Sequence, residues 1–210
     1  MNNPIALKIC GMKYNNNVRD IAVLRPDYMG FILYPYSPRY AGDKITRVVM
    51  DKLPPTIQKI GVFVNQRTTA IMRRMDEMGF NYAQLHGDET LADVRRLTKA
   101  GHKVIKVFRI DNDFDFAEVE PFVPHVSFFL FDTKGEKYGG TGKKWNWDKL
   151  NDYTYPVKFF LSGGIGPNDV HTIKSINHPM LEGVDVNSHF EDEPGQKDRA
   201  RLESFIQQLR

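Results

Sequence analysis

The sequence predicts one α/β domain, residues 1–210, in which eight parallel strands close into a barrel and each strand is followed by a helix. Short apolar runs alternate with amphipathic stretches along the whole chain. They form eight units with a spacing of about 25 residues, which favours a (β/α)8 barrel over an open sheet of about five or six strands. The length of 210 residues fits this fold near its short end.

The eight apolar runs have the composition of strands that are buried on both faces. They do not alternate with polar residues, and they are rich in Val, Ile and Phe, as a parallel sheet covered by helices requires. In chain order the runs are Leu7–Cys10, Tyr28–Leu33, Ile57–Val64, Tyr82–Leu85, Lys103–Phe108, Ser127–Asp132, Val157–Ser162 and Gly183–Val186.

Between these runs, apolar residues recur with the period of an amphipathic helix. Gly79 and Gly101 are predicted C-terminal caps, and Pro167 suits a first helical position. The stretch 112–122, which is acidic and closed by Pro121, predicts the fifth helix only weakly. The apolar faces are Val18, Ile21, Ala22; Ile45, Val48, Val49; Ile71, Met75, Met78; Leu91, Val94, Leu97; Val170, Ile173; and Leu202, Phe205, Ile206, Leu209.

The charge balance and the cysteine count exclude several classes of protein. Lys and Arg number 29 against 26 Asp and Glu, and this net charge of +3 is too small to indicate a nucleic-acid or membrane-surface protein. One cysteine permits no internal disulfide, and the six histidines lack metal-binding spacing, so no metal is expected. Without a membrane-length apolar run or a secretory leader, the expected location is the cytoplasm.

The first and sixth predicted strands end in Cys10 and Asp132, two residues that can transfer protons. In (β/α)8 barrels the catalytic residues lie at the carboxyl ends of the strands. A lone cysteine such as Cys10 is usually a small buried hydrophobe, but at a catalytic rim its thiolate is a candidate general base. Asp132 either caps the next turn or acts as a general acid. Strands 1 and 6 lie three steps apart around the ring. A base and an acid facing each other there suit a proton-transfer isomerisation.

Four other loops carry candidate binding residues. Ser162–Pro167 contains Gly163 and Gly164, and together with Asn187–Glu191 after the eighth strand it matches the recurrent phosphate site of barrels. The alternative for the two glycines is a simple tight turn. Arg39, in a loop stiffened by two prolines, is either a carboxylate-binding guanidinium or a solvated surface residue. His86 is a structural histidine or a pocket residue.

A glycine-rich loop, Gly139–Lys144, superficially resembles a phosphate-binding Walker A loop. Lys137 stands where that motif needs glycine, and Lys144 stands where it needs Ser or Thr. Because the loop follows the strand that ends in Asp132, we interpret it as a mobile cover of the active site. The alternative is a flexible surface loop.

Taken together, these residues resemble the phosphoribosylanthranilate isomerase family, and the similarity covers nearly the whole chain. No single motif is specific, but eight of them occur in the family's order. They are Lys8-Ile9-Cys10-Gly11, Gly30-Phe31 with Ser37-Pro38-Arg39-Tyr40, Gly61-Val62-Phe63-Val64-Asn65, Gln84-Leu85-His86-Gly87, Asp132, Gly139-Gly140-Thr141-Gly142, Ser162-Gly163-Gly164-Ile165 and Gly183-Val184-Asp185-Val186.

The resemblance implies the Amadori isomerisation of N-(5′-phosphoribosyl)anthranilate in tryptophan biosynthesis. It implies Asp132 as the general acid that opens the furanose ring and Cys10 as the general base that removes the C2′ proton. It implies no cofactor, no metal, and no nucleic-acid or membrane partner, and it fits a monomer or a homodimer. The implied substrate-binding residues are Arg39 for the anthranilate carboxylate, with His86, Gly163, Gly164, Asp185, Asn187 and Ser188.

The sequence departs from the family pattern at three places. His189 stands where the family has glycine after the eighth strand, which makes it a candidate replacement donor to phosphate. Trp145 replaces a commoner Phe, and Lys13-Tyr14 replace a Thr-Arg pair.

Three alternatives from the same or another class fit these residues less well. A histidine-pathway isomerase of this fold uses two aspartates, and indoleglycerol-phosphate synthase needs catalytic Lys and Glu. A catalytically silent barrel that binds a sugar phosphate or a protein would need neither Cys10 nor Asp132.

Overall fold

The computed structural model describes residues 4–135 and 144–210, and its eight parallel strands close into a barrel in sequential order. This confirms the fold class and all eight predicted strands. The barrel closes where the first strand pairs in parallel with the eighth, with Lys8 opposite Asp185. The strands are β1 Ala6–Ile9, β2 Tyr28–Ile32, β3 Gln58–Phe63, β4 Tyr82–Leu85, β5 Lys103–Ile110, β6 Phe128–Thr133, β7 Phe159–Leu161 and β8 Leu181–Val186.

In the described part of the chain, six α-helices lie outside the barrel. They are α1 Asn15–Ala22, α2 Arg47–Asp51, α3 Thr68–Met78, α4 Leu91–Lys99, α5 Val170–Ser175 and α6 Arg199–Leu209. Gly79 ends α3 in the left-handed region at φ +66°, as predicted. Thr90 begins α4 with a capping box, in which its side chain accepts from the Asp93 amide while the Asp93 carboxylate accepts from the Thr90 amide.

The connections after β5 and β6 are 3-10 helices, Phe116–His125 and Trp147–Asp152, where the eight-unit prediction expects α-helices. Pro121 and Pro124 lie inside the first of these segments and donate no backbone hydrogen bond, so a continuous α-helical ladder cannot form there. Pro167 begins a third 3-10 turn, Pro167–Asp169, that leads directly into α5.

The predicted apolar face of the second helix is partly wrong. Val49 is buried, and Ile45 is buried before the helix begins, but Val48 is 61% exposed. Since α2 has only five residues, from Arg47 to Asp51, it buries one narrow stripe and turns Val48 to solvent.

Two separate apolar cores result from the alternation of side chains along the strands. The larger core lies between the barrel and its helices, and it includes Leu7, Ile9, Phe129 and Phe131. The smaller core fills the barrel interior; its members are Cys10, Tyr28, Ile60, Val62, Tyr82, Ile105, Val107, Leu130 and Phe160. A side chain that ends an inward row therefore emerges at the mouth of the barrel.

After β8 the chain forms a short excursion before the last helix. The excursion consists of a 3-10 turn, Ser188–Phe190, and a two-stranded hairpin of β9 Glu191–Glu193 and β10 Gln196–Lys197. Asn17 on α1 holds this hairpin, because its side chain accepts from the Lys197 amide and donates to the Lys197 carbonyl.

The predicted mobile cover, Gly139–Lys144, lies outside the described residues except for its last residue, Lys144. The Lys144 side chain forms an ion pair with Asp169 at 2.5 Å. Among residues 4–135 and 144–210, no helix is long and apolar enough to cross a membrane, and no cluster of His, Cys, Asp and Glu could hold a metal ion.

Candidate active site

A cleft of about 670 Å³, counting its open mouth, lies over the carboxyl ends of the strands. Its lining includes every predicted site residue except Arg39, namely Cys10, His86, Asp132, Gly163, Gly164, Asp185, Asn187 and Ser188. Side chains from the ends of β1, β4, β6 and β8 and from the loops after β7 and β8 therefore meet in one place. Apolar walls from Ile32, Val62, Val64 and Ile165 complete the cleft.

Cys10 continues the inward row of β1, and its side chain lines the cleft. Burial raises the pKa of the Cys10 thiol, while the nearby ammonium groups of Lys8 and Lys197 act in the opposite direction. Gly30 on β2 leaves the space that the sulfur occupies, because a Cβ at that position would lie 2.9 Å from Sγ. The resting form of this residue is consequently the thiol, beside two cations that stabilise the thiolate.

Asp132 stands at the inward end of β6 and faces His86. Its Oδ1 accepts from the Thr133 amide at 2.8 Å, which fixes the carboxyl group relative to the strand. His86 Nε2 lies 3.3 Å from Asp132 Oδ2, within ion-pair distance but outside the angular range of a hydrogen bond. Gln84 Nε2 lies 3.0 Å from His86 Nδ1. With this amide as the donor, the ring proton resides on Nε2, the nitrogen that lies 3.3 Å from Asp132 Oδ2.

The glycine loop after β7 lies against the end of β6. Gly163 and Gly164 both have positive φ, +99° and +63°. A Cβ on Gly163 would overlap the Thr133 hydroxyl and lie 2.8 Å from the Thr133 backbone nitrogen, so only glycine permits this approach. The loop therefore presents backbone, rather than side chains, to the cleft.

Asn187 and Ser188 line the cleft on the other side of this glycine loop. His189, the residue that replaces the family's glycine, is exposed and is not among the described lining residues. The β-carbon position of Gly166 lies 3.8 Å from His189, so this histidine stands at the rim beside the glycine loop.

Arg39 lies at the edge of the cleft, and an acidic side chain holds its guanidinium. Its Nε lies 2.9 Å from Glu191 Oε2, and its NH2 lies 2.8 Å from the same oxygen. Glu191 also accepts from buried Lys197 at 2.5 Å, and Lys197 in turn binds the Asn187 side chain at 2.7 Å. Burial lowers the pKa of Lys197 to about 8, against the opposing effect of Glu191.

Sequence reasoning did not single out four polar residues of this region: Lys8, Gln84, Glu191 and Lys197. Lys8 is fully buried and forms an ion pair with Asp185 at 2.8 Å. The alternation of strand side chains contained the signal for two of them. Lys8 is two residues before Cys10 and Gln84 is two residues before His86, so each shares an inward row with a site residue.

Comparison with known proteins extends the resemblance over nearly the whole chain. The family model described as N-(5′-phosphoribosyl)anthranilate (PRA) isomerase matches residues 7–208. Curated proteins named N-(5′-phosphoribosyl)anthranilate isomerase include one from Parabacteroides distasonis, 39% identical over 97% of this chain and 92% of its own length. Another, from Phocaeicola vulgatus, is 39% identical over 97% of both chains.

Solved structures agree with this assignment. Phosphoribosylanthranilate isomerase from Thermotoga maritima superposes with a TM-score of 0.84 at 30% identity over 98% of both chains. A phosphoribosylanthranilate isomerase in complex with reduced 1-(o-carboxyphenylamino)-1-deoxyribulose 5-phosphate has a TM-score of 0.82 at 27% identity, again over 98% of both chains. The family model, the curated relatives and the solved structures agree over nearly the whole chain, and this chain belongs to the N-(5′-phosphoribosyl)anthranilate isomerase family.

Proposed function

We propose that this protein catalyses the Amadori isomerisation of N-(5′-phosphoribosyl)anthranilate to 1-(2-carboxyphenylamino)-1-deoxyribulose 5-phosphate, a step of tryptophan biosynthesis. The observation that carries the proposal is the meeting of Cys10 and Asp132 in one cleft beside a glycine loop. A base and an acid together suit an isomerisation in which one proton is delivered to oxygen and another is removed from carbon. The family relationship names the substrate.

In the first step Asp132, in its protonated form, gives its proton to the furanose ring oxygen. The bond between C1′ and that oxygen breaks, its electron pair stays on the oxygen, and the anilinic nitrogen lone pair forms a C1′=N bond. The products are an open-chain protonated Schiff base and the Asp132 carboxylate. The Thr133 amide, which donates to Oδ1 at 2.8 Å, stabilises that carboxylate.

In the second step the Cys10 thiolate removes the proton from C2′. The C2′–H electron pair forms a C1′=C2′ bond, the C1′=N electrons return to nitrogen, and an S–H bond forms. The resulting enolamine takes a proton at C1′ and loses its C2′ hydroxyl proton, which gives the ketone. No oxidant or cofactor is needed, because electrons only move within the substrate.

Binding requires recognition of both ends of the substrate. Arg39 would bind the anthranilate carboxylate with the guanidinium edge that Glu191 leaves available, and His86 and Asp185 would contact the ribose region. Backbone amides of Gly163 and Gly164, with Asn187 and Ser188, would bind the phosphate. The apolar walls favour the aromatic ring. We further place the enzyme in the cytoplasm, as a monomer or a homodimer; one structural relative is described as dimeric.

The test is turnover of N-(5′-phosphoribosyl)anthranilate, generated in situ, by the purified protein and two variants. We expect Cys10→Ala and Asp132→Asn each to lower kcat by about 100-fold or more, the usual size of an acid–base contribution. Asp51→Asn, on the exposed face of α2, is the matched control and should retain full activity.

Absence of turnover in the wild-type protein would favour a silent sugar-phosphate-binding barrel. Near wild-type turnover by either variant would show that the role assigned to that residue is wrong. Circular dichroism of both variants should match the wild type, because neither side chain is part of the large outer core.

A further inference from the structure

We infer that Lys8 is a positioning residue of the reaction, whose buried ammonium group holds the Cys10 side chain and stabilises its thiolate. This inference rests on the proposed role of Cys10 as the base. Lys8 lies two residues before Cys10 on β1, so both side chains point into the barrel and Lys8 stands one layer below the thiol.

The position of Gly30 brings the two side chains together. A Cβ on Gly30 would lie 2.9 Å from Cys10 Sγ and 3.2 Å from Lys8 Nζ. The sulfur and the ammonium nitrogen thus share the space that a larger residue on β2 would fill. The positive charge of Lys8 favours the thiolate of Cys10, against the effect of burial.

The burial of Lys8 strengthens the effect of its charge on Cys10. Lys8 has no exposed surface, and the barrel interior in which it lies contains apolar and aromatic side chains such as Tyr28, Ile60 and Phe160. A charged lysine at such a place is costly unless it is paired, and Asp185 on β8 pairs with it at 2.8 Å. The pair keeps a permanent cation at the bottom of the cleft, where a negative charge must form on sulfur.

The other charged groups near Cys10 either have other hydrogen-bond partners or carry a negative charge. Lys197 on β10 also favours the thiolate, but it donates to Asn187 O, Asn187 Oδ1 and Glu191 Oε1, which accounts for its three hydrogens. Asp185 disfavours the thiolate through its negative charge. Asp132 and His86 belong to the same cleft wall, on β6 and after β4. Lys8 is accordingly the cation best placed to respond to ionisation of the thiol.

The consequence concerns the proton-transfer step. Desolvation disfavours the thiolate, so a buried cysteine without a cation would remain protonated across the working pH range. Lys8 offsets part of that effect and keeps a reactive fraction of thiolate available for the C2′ proton. Its removal should therefore lower kcat more than it changes KM.

The experiment uses the fact that Cys10 is the one cysteine of the chain, so alkylation by iodoacetamide reports on this thiol alone. The alkylation rate would be measured from about pH 6 to about pH 10 for the wild type and Lys8→Met. We expect the variant's profile to move to higher pH, with a rate about tenfold lower near pH 8, since one pKa unit changes the thiolate fraction tenfold. Its kcat should fall by a similar factor and recover partly at high pH.

Two further variants separate charge from folding. Lys106→Met removes another buried lysine, on β5 and paired with Glu89 at 3.4 Å, and should leave the alkylation profile of Cys10 unchanged. Gly30→Ala keeps the charge but inserts a methyl group against both Sγ and Nζ, and should move the profile in the same direction as Lys8→Met. If Lys8→Met does not fold, Gly30→Ala still tests the inference.

An unchanged alkylation profile in Lys8→Met, or in a folded Gly30→Ala when Lys8→Met fails to fold, would overturn the inference, as would an equal shift in Lys106→Met. Alkylation requires no substrate, so this result is independent of the proposed isomerisation. If the profile shifts but Cys10→Ala keeps its turnover, the pairing of Lys8 with Cys10 stands and the assignment of Cys10 as base fails.

Discussion

Several charged side chains in and below the cleft are buried. Lys8, Asp132, Asp185 and Lys197 are each less than 10% exposed, and Glu191 joins them through Lys197 and Arg39. Such groups are costly to desolvate, so they persist where their charges serve binding or proton transfer. The interior core below them is almost wholly apolar, which confines the polar chemistry to the mouth.

Arg39→Met tests recognition of the substrate carboxylate. We expect KM to rise by about 10- to 100-fold with a smaller change in kcat, because a charge-assisted hydrogen-bonded contact is lost on binding. Steady-state kinetics and the affinity for an anthranilate-bearing product analogue would measure it. Arg47→Met, which removes an exposed arginine paired with Asp51, is the control. Unchanged KM and unchanged analogue affinity would contradict the assignment.

At the scale of elements, the loops after β6 and β7 are interlocked. The close approach of Gly163 to Thr133 places the glycine loop against the residue whose amide holds Asp132. Trp145 adds a second contact, since its indole nitrogen donates to the Ser162 carbonyl at 3.1 Å. The acid and the candidate phosphate loop consequently depend on each other's position.

Gly163→Ala should disturb both parts of this arrangement. We expect lower turnover, because the added methyl group displaces Thr133 and with it the carboxyl group of Asp132. We also expect weaker inhibition by inorganic phosphate, because the glycine loop itself is the candidate phosphate site. Gly101→Ala is the matched control: Gly101 has a similar φ of +90°, but a Cβ there meets nothing within 4 Å. Its activity should stay at the wild-type level. Equal phosphate inhibition in the two variants would count against the phosphate loop.

For the whole molecule, closure of the barrel depends on the pairing of β1 with β8. Ala6 stands opposite Gly183, and Lys8 stands opposite Asp185, so the ion pair beneath the cleft also spans the line where the chain's two ends meet. The proposed catalytic role of β1 and the closure of the ring therefore depend on the same pair of strands.

Gly183→Ala should weaken this closure. A Cβ there would overlap the Ala6 carbonyl oxygen and lie 2.7 Å from the carbonyl carbon, and backbone cannot move aside cheaply. We expect the free energy of unfolding to fall by about 1–3 kcal/mol, the range for overpacked sites. Urea unfolding would measure it. Gly166→Ala, whose Cβ would have contacts no shorter than 3.7 Å, should change stability far less; equal losses would refute the explanation.

The sequence was enough to predict the fold class, all eight strands and the residues that end them. The composition and spacing of strands are local properties of the chain. Because the carboxyl ends of parallel strands meet at one rim of the barrel, Cys10, His86 and Asp132 could be predicted as candidate site residues. It did not predict the 3-10 connections, where the two prolines of Phe116–His125 prevail over helical periodicity, or the solvent exposure of Val48 on a short helix.

The partners of the charged groups could not be predicted from the sequence and depend on how the chain folds. Lys8 meets Asp185 across 177 positions of the chain, and Arg39 meets Glu191 across 152. These pairings arise from closure of the ring and from the hairpin after β8, which bring distant segments within a few ångströms. The electrostatic environment of Cys10 depends on such contacts, because the energy of a buried charge is set by its spatial neighbours rather than by its neighbours along the chain.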